Sequence, residues 1–140
     1  MELLIVLAIV GVLSALALSG LAESRASVRD GKRVIELSDI SRGLYLYAQD
    51  RGAYPEALEE LIEGAYVSRI PRDPKTEKPL FYAVSSSRDQ YFLGTSLESR
   101  RSGFLQHDAD TMLGSFKGND LTGCDGAFGA YCFDITAPLP

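Results

Sequence analysis

Little in this chain of 140 residues is equipped for covalent chemistry. Its one histidine is His107, and its two cysteines, Cys124 and Cys132, stand near the C-terminus with seven residues between them. A hydrolase needs a nucleophile, a base and an orienting group converging in one pocket, and this inventory offers no such set. No catalytic residue is expected, and the chain is not expected to be an enzyme. Acid pairs such as Glu59 and Glu60 fall in a short helical pattern and read as solvated. Two thiols also fall short of the four ligands a structural zinc site takes. A disulfide is the economical reading if the N-terminus sits in a membrane and the rest faces an oxidising compartment. Closing this nine-residue loop would stabilise the fold by about 2–3 kcal/mol. The alternative is a pair of reduced thiols in a small core.

Oxygen chemistry is better represented. Asp108, Asp110, Asn119, Asp120 and Asp125 fall in a glycine-rich stretch, and hard oxygen ligands of this kind suit calcium. An EF-hand is absent, because Leu113 stands where its glycine should be and Met112 where it needs an oxygen. Asp and Asn also favour turns, so an ordinary solvated loop is the other reading.

The net charge is −5, which argues against a general nucleic-acid surface, since phosphates must be neutralised by clustered Lys and Arg. Arg25, Arg29, Lys32 and Arg33 alternate with acids along a helical pattern and read as a solvated or subunit-facing stripe.

The elements that would carry these groups divide sharply. Leu3 to Ala22 is a run of twenty residues without a charge, its only polar side chains being Ser14 and Ser19. As a helix it would measure about 30 Å, the thickness of a bilayer's hydrocarbon core. It is not a secretory signal, which carries a positive n-region and a shorter apolar stretch. The charge in front of it is negative, Glu2. A carboxylate at the edge of a membrane span costs about 2–3 kcal/mol, so it either sits among headgroups or has a partner. Gly11, Ser14, Ala15, Ala17, Ser19 and Gly20 make a surface of small residues that lets helices approach closely. Beyond the run, Val34, Leu37, Ile40, Leu44, Tyr47 and Ala48 recur at helical spacing, and Asp50-Arg51-Gly52 supplies a stop. One helix is thus predicted over 1–52, with a membrane or filament-core segment at 1–22 and an amphipathic half at 23–52.

Residues 53–140 read as a globular head. Tyr54 to Gly64 predicts a short helix with Pro55 in its first turn and Leu58, Leu61 and Ile62 as its buried stripe. Leu80 to Val84 and Gln90 to Leu97 predict a hairpin turning through Ser85–Asp89, and Gly129 to Ile135 a third strand containing Cys132. The fold class is therefore α+β: a long N-terminal helix packed on a small antiparallel sheet.

Met1-Glu2-Leu3-Leu4-Ile5-Val6-Leu7-Ala8-Ile9-Val10-Gly11-Val12-Leu13-Ser14-Ala15-Leu16-Ala17 resembles the N-terminal segment of type IV pilins and pseudopilins. In that family a glutamate leads a long apolar helix, behind an aromatic-Thr-Leu opening. That opening is missing before Met1, so the sequence is expected to begin a few residues inside the mature protein. The resemblance implies the pilin fold and a prepilin-type subunit held in the inner membrane. The subunit would then polymerise with its own copies, through pilus assembly machinery, into an extracellular filament for attachment, motility or DNA uptake. It implies that Glu2 pairs with the N-terminal amine of a neighbouring copy, with Gly11 and Ser14 on the helix-packing surface. Tyr54-Pro55, Leu58, Leu61, Tyr66, Ile70-Pro71, Asp73-Pro74 and Tyr82 are similar to heads of the major pseudopilins of type II secretion. Lys75-Thr76 departs from the Trp-Gly usual there. A major pseudopilin is the runner-up reading, and major pseudopilins bind calcium in a comparable C-terminal region. The closing cysteine pair favours a pilin with a C-terminal disulfide loop. A single-pass anchored binding module is the third reading; such an anchor would have no use for Glu2.

Overall fold

The computed structural model describes residues 2–100, 102–113 and 116–140. Within its helices and strands it leaves out the side chains of Glu2, residues 16–20, Met112, Leu113 and Lys117. Helix α1 spans Glu2–Arg51, about 75 Å at 1.5 Å per residue. It stops where the sequence predicts: Gly52 takes a positive φ of 72° and its N–H bonds back to the Ala48 carbonyl at 2.8 Å, a left-handed termination that glycine adopts without strain.

The two halves of α1 have different surroundings. From Leu37 onward Leu37, Ile40, Leu44, Tyr47 and Ala48 are buried, and Val34 packs beside them. Gly43 lies where an added Cβ would come 2.6 Å from Val67 Cγ1, so its smallness lets the head close on the helix. At the other end, every described side chain from Leu3 to Ala15 is exposed. Among the described residues no helix is long and apolar enough to cross a membrane. Leu3 to Ala15 measures about 20 Å, short of a bilayer core, and residues 16–20 of the expected span have side chains outside the described set. The described residues therefore do not carry the membrane-span reading.

Strand β1 is Phe81–Val84, β2 Gln90–Leu97, β3 Met112–Leu113, β4 Phe116–Lys117 and β5 Tyr131–Pro138. An antiparallel sheet runs in the order β1-β2-β5, and β3 and β4 form a separate small hairpin. β1 and β2 match the predicted hairpin to within a residue. β5 starts two residues later than predicted and runs three further, because its pairing follows β2 out to Gln90 opposite Pro138.

Strand alternation sends β2 and β5 side chains to opposite faces. Tyr91, Leu93 and Leu97 of β2, with Phe133 of β5, pack toward α1 in the main core. Phe92 and Cys132 point the other way and meet Phe116 and Cys124 in a second, smaller cluster. The Phe116 ring sits over Gly94, where a Cβ would approach it to 2.7 Å. The sheet is thus covered on one face by α1 and on the other by the β3–β4 hairpin and the cysteine loop.

The predicted Tyr54–Gly64 helix is shorter than expected. Only Glu59–Glu63 forms helix α2, and Ile62 is exposed while Leu58 and Leu61 are buried. Tertiary bonds hold the start of that segment out of helix. The Tyr54 N–H donates to the Arg88 carbonyl, the Tyr54 hydroxyl to the Pro138 carbonyl, and the Tyr82 hydroxyl to the Pro55 carbonyl. The Glu60 carboxylate folds back to accept from the Glu56 and Ala57 N–H groups, tying the irregular turn ahead of the helix to its first turn.

Candidate functional site

Three parts of the molecule could carry function. The first is the exposed end of α1. Leu3, Leu4, Ile5, Val6, Leu7, Ile9, Val10, Val12 and Leu13 are each between 53% and 73% exposed, and they lie on all sides of the helix. Gly11, with open space around it, and exposed Ser14 belong to this stretch. The Glu2 side chain, the expected assembly carboxylate, lies outside the described residues. A rod that is apolar all round is stable only when something surrounds it.

The second is a buried junction between α1 and the head. The Arg33 guanidinium, 3% exposed, donates to Asp30 at 2.7 Å, to Glu98 at 2.8 Å and to Asp73. Arg29 makes a two-pronged pair with Glu98 at 2.7 and 2.8 Å, and Lys75 reaches the same carboxylate at 2.8 Å. Asp30, 1% exposed, also accepts the N–H groups of Glu98 and Ser99. Three cations thus face three carboxylates. The Arg29 hydrogen bond, with Lys75 and Arg33 behind it, holds Glu98 well below the usual carboxylate range despite burial. Burial pushes Asp73 up, but bonds from Arg33 and from the Thr76 and Lys75 N–H groups outweigh it and bring it well below its ordinary value. Burial pulls Arg33 down, and its partners raise it further than burial lowers it. The reading of Arg29 and Arg33 as part of a solvated or subunit-facing stripe is corrected: both are tied to the head of their own chain, and Arg33 is buried there.

The third is on the opposite face of the sheet. The sulfurs of Cys124 and Cys132 lie at bonding distance, with Cα atoms 4.6 Å apart and both residues buried. Replacing both by serine should lower stability by about 2–3 kcal/mol in the loop-entropy account. Thermal melts of the variant and the wild type, with and without reductant, check this; the variant should be insensitive to reductant.

Beside this bridge the two legs of the β3–β4 hairpin carry the acids. Asp108 and Asp110 precede it and Asp120 follows it, and one carboxylate oxygen from each lies within 4.8 Å of the others. The Asp134 side chain comes up from β5. It pairs across from Gly94 on the same face as Cys132 and is fully buried. Its Oδ2 accepts the Thr111 N–H at 3.2 Å, and its Cγ lies 3.0 Å from where a Cβ on Gly118 would stand. Its Oδ1, with Asp108 Oδ2 and Asp120 Oδ1, has no hydrogen-bond partner among the described residues. Burial, then the neighbouring charges of Asp120, Asp110 and Asp134, push Asp108 up to about 7. Burial, with Asp110 and Asp120 adding to it, pushes Asp134 up to about 6. Burial and Asp110 likewise raise Asp120. These folded-state values exceed the unfolded ones, so ionising the group at neutral pH costs the fold stability.

No family model, curated protein or solved structure matches this chain.

What the head offers must therefore be read from its own residues. Of the predicted oxygen ligands, Asp108, Asp110 and Asp120 come together, and two do not join them. Asp125 is turned toward Lys78 at 3.3 Å and caps the Ala127 N–H at 3.0 Å. Asn119 accepts the Leu121 N–H at 3.3 Å, a local turn bond. Asp134 was missed by reading the loop alone. The signal for it is a single acid inside the apolar strand pattern Tyr131-Cys132-Phe133-Asp134-Ile135, on the parity that faces the hairpin. The set offers oxygen donors alone, and acidic groups of this kind are common without an ion.

Proposed function

We propose that this chain is a structural subunit of a type IV pilus-type filament, polymerising through the apolar end of α1 and displaying the head outside. One observation carries the reading: a single unbroken helix has its C-terminal half sealed into the head, while its described side chains from Leu3 to Ala15 are all exposed, with large apolar ones on every side. Sister helices would cover that surface, and the Arg33 junction would transmit load from the helix to the head. The N-terminal resemblance to pilins supports the same assignment, as does the α+β architecture with its long helix and antiparallel sheet. The subunit would wait in the inner membrane, pass through pilus assembly machinery and end in an extracellular filament, with no enzymatic activity of its own.

Electron microscopy of material sheared from the cell surface, with mass identification of the fibre protein, tests this directly. Thin fibres of constant diameter containing the chain are expected. Glu2→Gln should cut fibre yield at least tenfold while the subunit stays in the membrane fraction, because a buried charge is tolerated only when paired and the amide cannot pair with a neighbour's amine. Normal fibre yield from that variant would remove Glu2 from the assembly step.

A further inference from the structure

The loop closed by the Cys124–Cys132 bridge holds an aromatic ring out in the open. Phe128 is 95% exposed, more than any other large apolar side chain among the described residues. The backbone beneath it is firmly tied. The Gly123 N–H donates to the Ala127 carbonyl at 2.9 Å, the Gly126 N–H to the Gly123 carbonyl at 2.6 Å, and the Ala127 N–H to the Asp125 carboxylate at 3.0 Å. Gly126 and Gly129 take positive φ values of 80° and 79°, turns that glycine makes without strain. Gly126, Ala127, Gly129 and Ala130 flank the ring without a bulky side chain, so it stands alone on a narrow stalk. A ring fixed in place before contact has already met much of the ordering cost of binding.

Beside the ring lies a cleft of about 200 Å³. Ala127 and Gly129 line it, while the Phe128 side chain does not. Buried Leu97 and half-buried Leu80 and Phe81 supply its apolar walls. A cavity of ~150 Å³ lined by such side chains accepts benzene, so this one has room for a phenyl ring. Its cations are already matched: Arg33 by Asp73, Lys75 by Glu98 and Lys78 by Asp125. The cleft thus offers a charged ligand no unmatched partner, and its complement is an uncharged apolar group. We propose that this group is Phe128 of a second copy of the chain, each head giving its ring to the other's cleft. Because ring and cleft share one loop, a two-fold arrangement fills both clefts at once. At about 150–250 Å² per aromatic side chain, two rings and the walls they cover bury roughly 600–1,000 Å². That falls short of the ~1,200 Å² at which stable interfaces begin, so the contact is weak and reversible between isolated heads. It concerns the head alone and stands whether or not the apolar end of α1 polymerises.

The test uses the full chain in detergent, with empty micelles in excess so that two copies are not forced to share one. Isotope-labelled and unlabelled copies are mixed, treated with an amine-reactive cross-linker and mapped by mass spectrometry. Lys75 and Lys78 line the cleft and are 57% and 64% exposed, so they report on its mouth. Links between these lysines of different copies are expected, rising with protein concentration. Phe128→Ser should cut them about tenfold or more, the effect of deleting an aromatic anchor at the centre of an interface. Its melting temperature should equal that of the wild type, because so exposed a ring has almost no packing to lose. Leu121→Ser, at another exposed apolar side chain of the head outside the cleft, should leave the yield as it is. Contact through the rods would join copies at Lys32 instead and would not respond to Phe128. Links confined to Lys32, no links between copies at Lys75 and Lys78, or an undiminished yield in Phe128→Ser would each overturn the proposal.

Discussion

Arg33→Met should destabilise the head by about 3–5 kcal/mol, measured as a fall in the urea midpoint with the slope unchanged. Methionine fills much of the space of the arginine stem, so the loss would come from charge and not from a cavity. Asp30, Asp73 and Glu98 would lose the one cation they all share, and Asp30 is almost fully buried. Removing one partner from a buried network leaves uncompensated charge, which costs far more than the network's net worth. Against a total stability of about 5–15 kcal/mol, this would be a third or more. Arg33→Lys should fall between, because an ammonium keeps the charge but cannot offer one planar fork to three carboxylates at once. An Arg33→Met midpoint equivalent to within 1 kcal/mol of the wild type would show that solvent, not Arg33, satisfies these acids.

The same network sets the acid limit of the fold. Glu98, held chiefly by Arg29, and Asp73, held by Arg33 and backbone N–H groups against its burial, both have folded-state pKa values below their unfolded ones. A depressed acid contributes its stability in full above its unfolded pKa, near 4, and loses it as pH falls through the folded value. Acid titrations followed by circular dichroism should therefore show the wild-type head persisting well below pH 4, and Arg33→Met unfolding at higher pH.

Long-period features of this fold were legible in the sequence, and short-range or long-distance convergences were not. The α1 stripe and its Gly52 stop, and the β1–β2 hairpin, follow from periodicities repeated over enough residues to be read. The β3–β4 hairpin has two-residue strands, too short to show any period. The early part of the expected Tyr54–Gly64 helix yielded to bonds from Arg88, Tyr82 and Pro138, distant in sequence. Arg33 looked like one more charge on an alternating face, because nothing local indicates that Asp73 and Glu98, 40 and 65 residues away, converge on it. In the acidic loop composition was the guide, and it swept in Asp125, whose partner Lys78 is 47 residues distant. It passed over Asp134, whose importance lies in strand parity and not in the loop.

In the proposed filament, Ile9→Asp should abolish fibre formation while leaving the melting of the head unchanged, since Ile9 is 54% exposed and lies in a stretch whose described side chains are all exposed. A large apolar side chain yields about 1.5–3 kcal/mol when fully buried, and nine such residues between Leu3 and Leu13 are mostly uncovered. Covering even half of that exposure among sister helices is worth about 4–8 kcal/mol per subunit, at the lower end of the 4–15 kcal/mol that association costs. The margin is therefore small at each subunit. An aspartate in the middle of the rod would remove one apolar contact and add a desolvation penalty of about 2–3 kcal/mol or more, repeated at every subunit along the polymer. Ile9→Val, which loses only one methylene, should assemble normally. Pelleting assays and electron microscopy of the three proteins distinguish the cases. Fibres from Ile9→Asp at wild-type yield would mean that the heads, not the helices, hold the polymer together, and the exposed rod would then need a different covering.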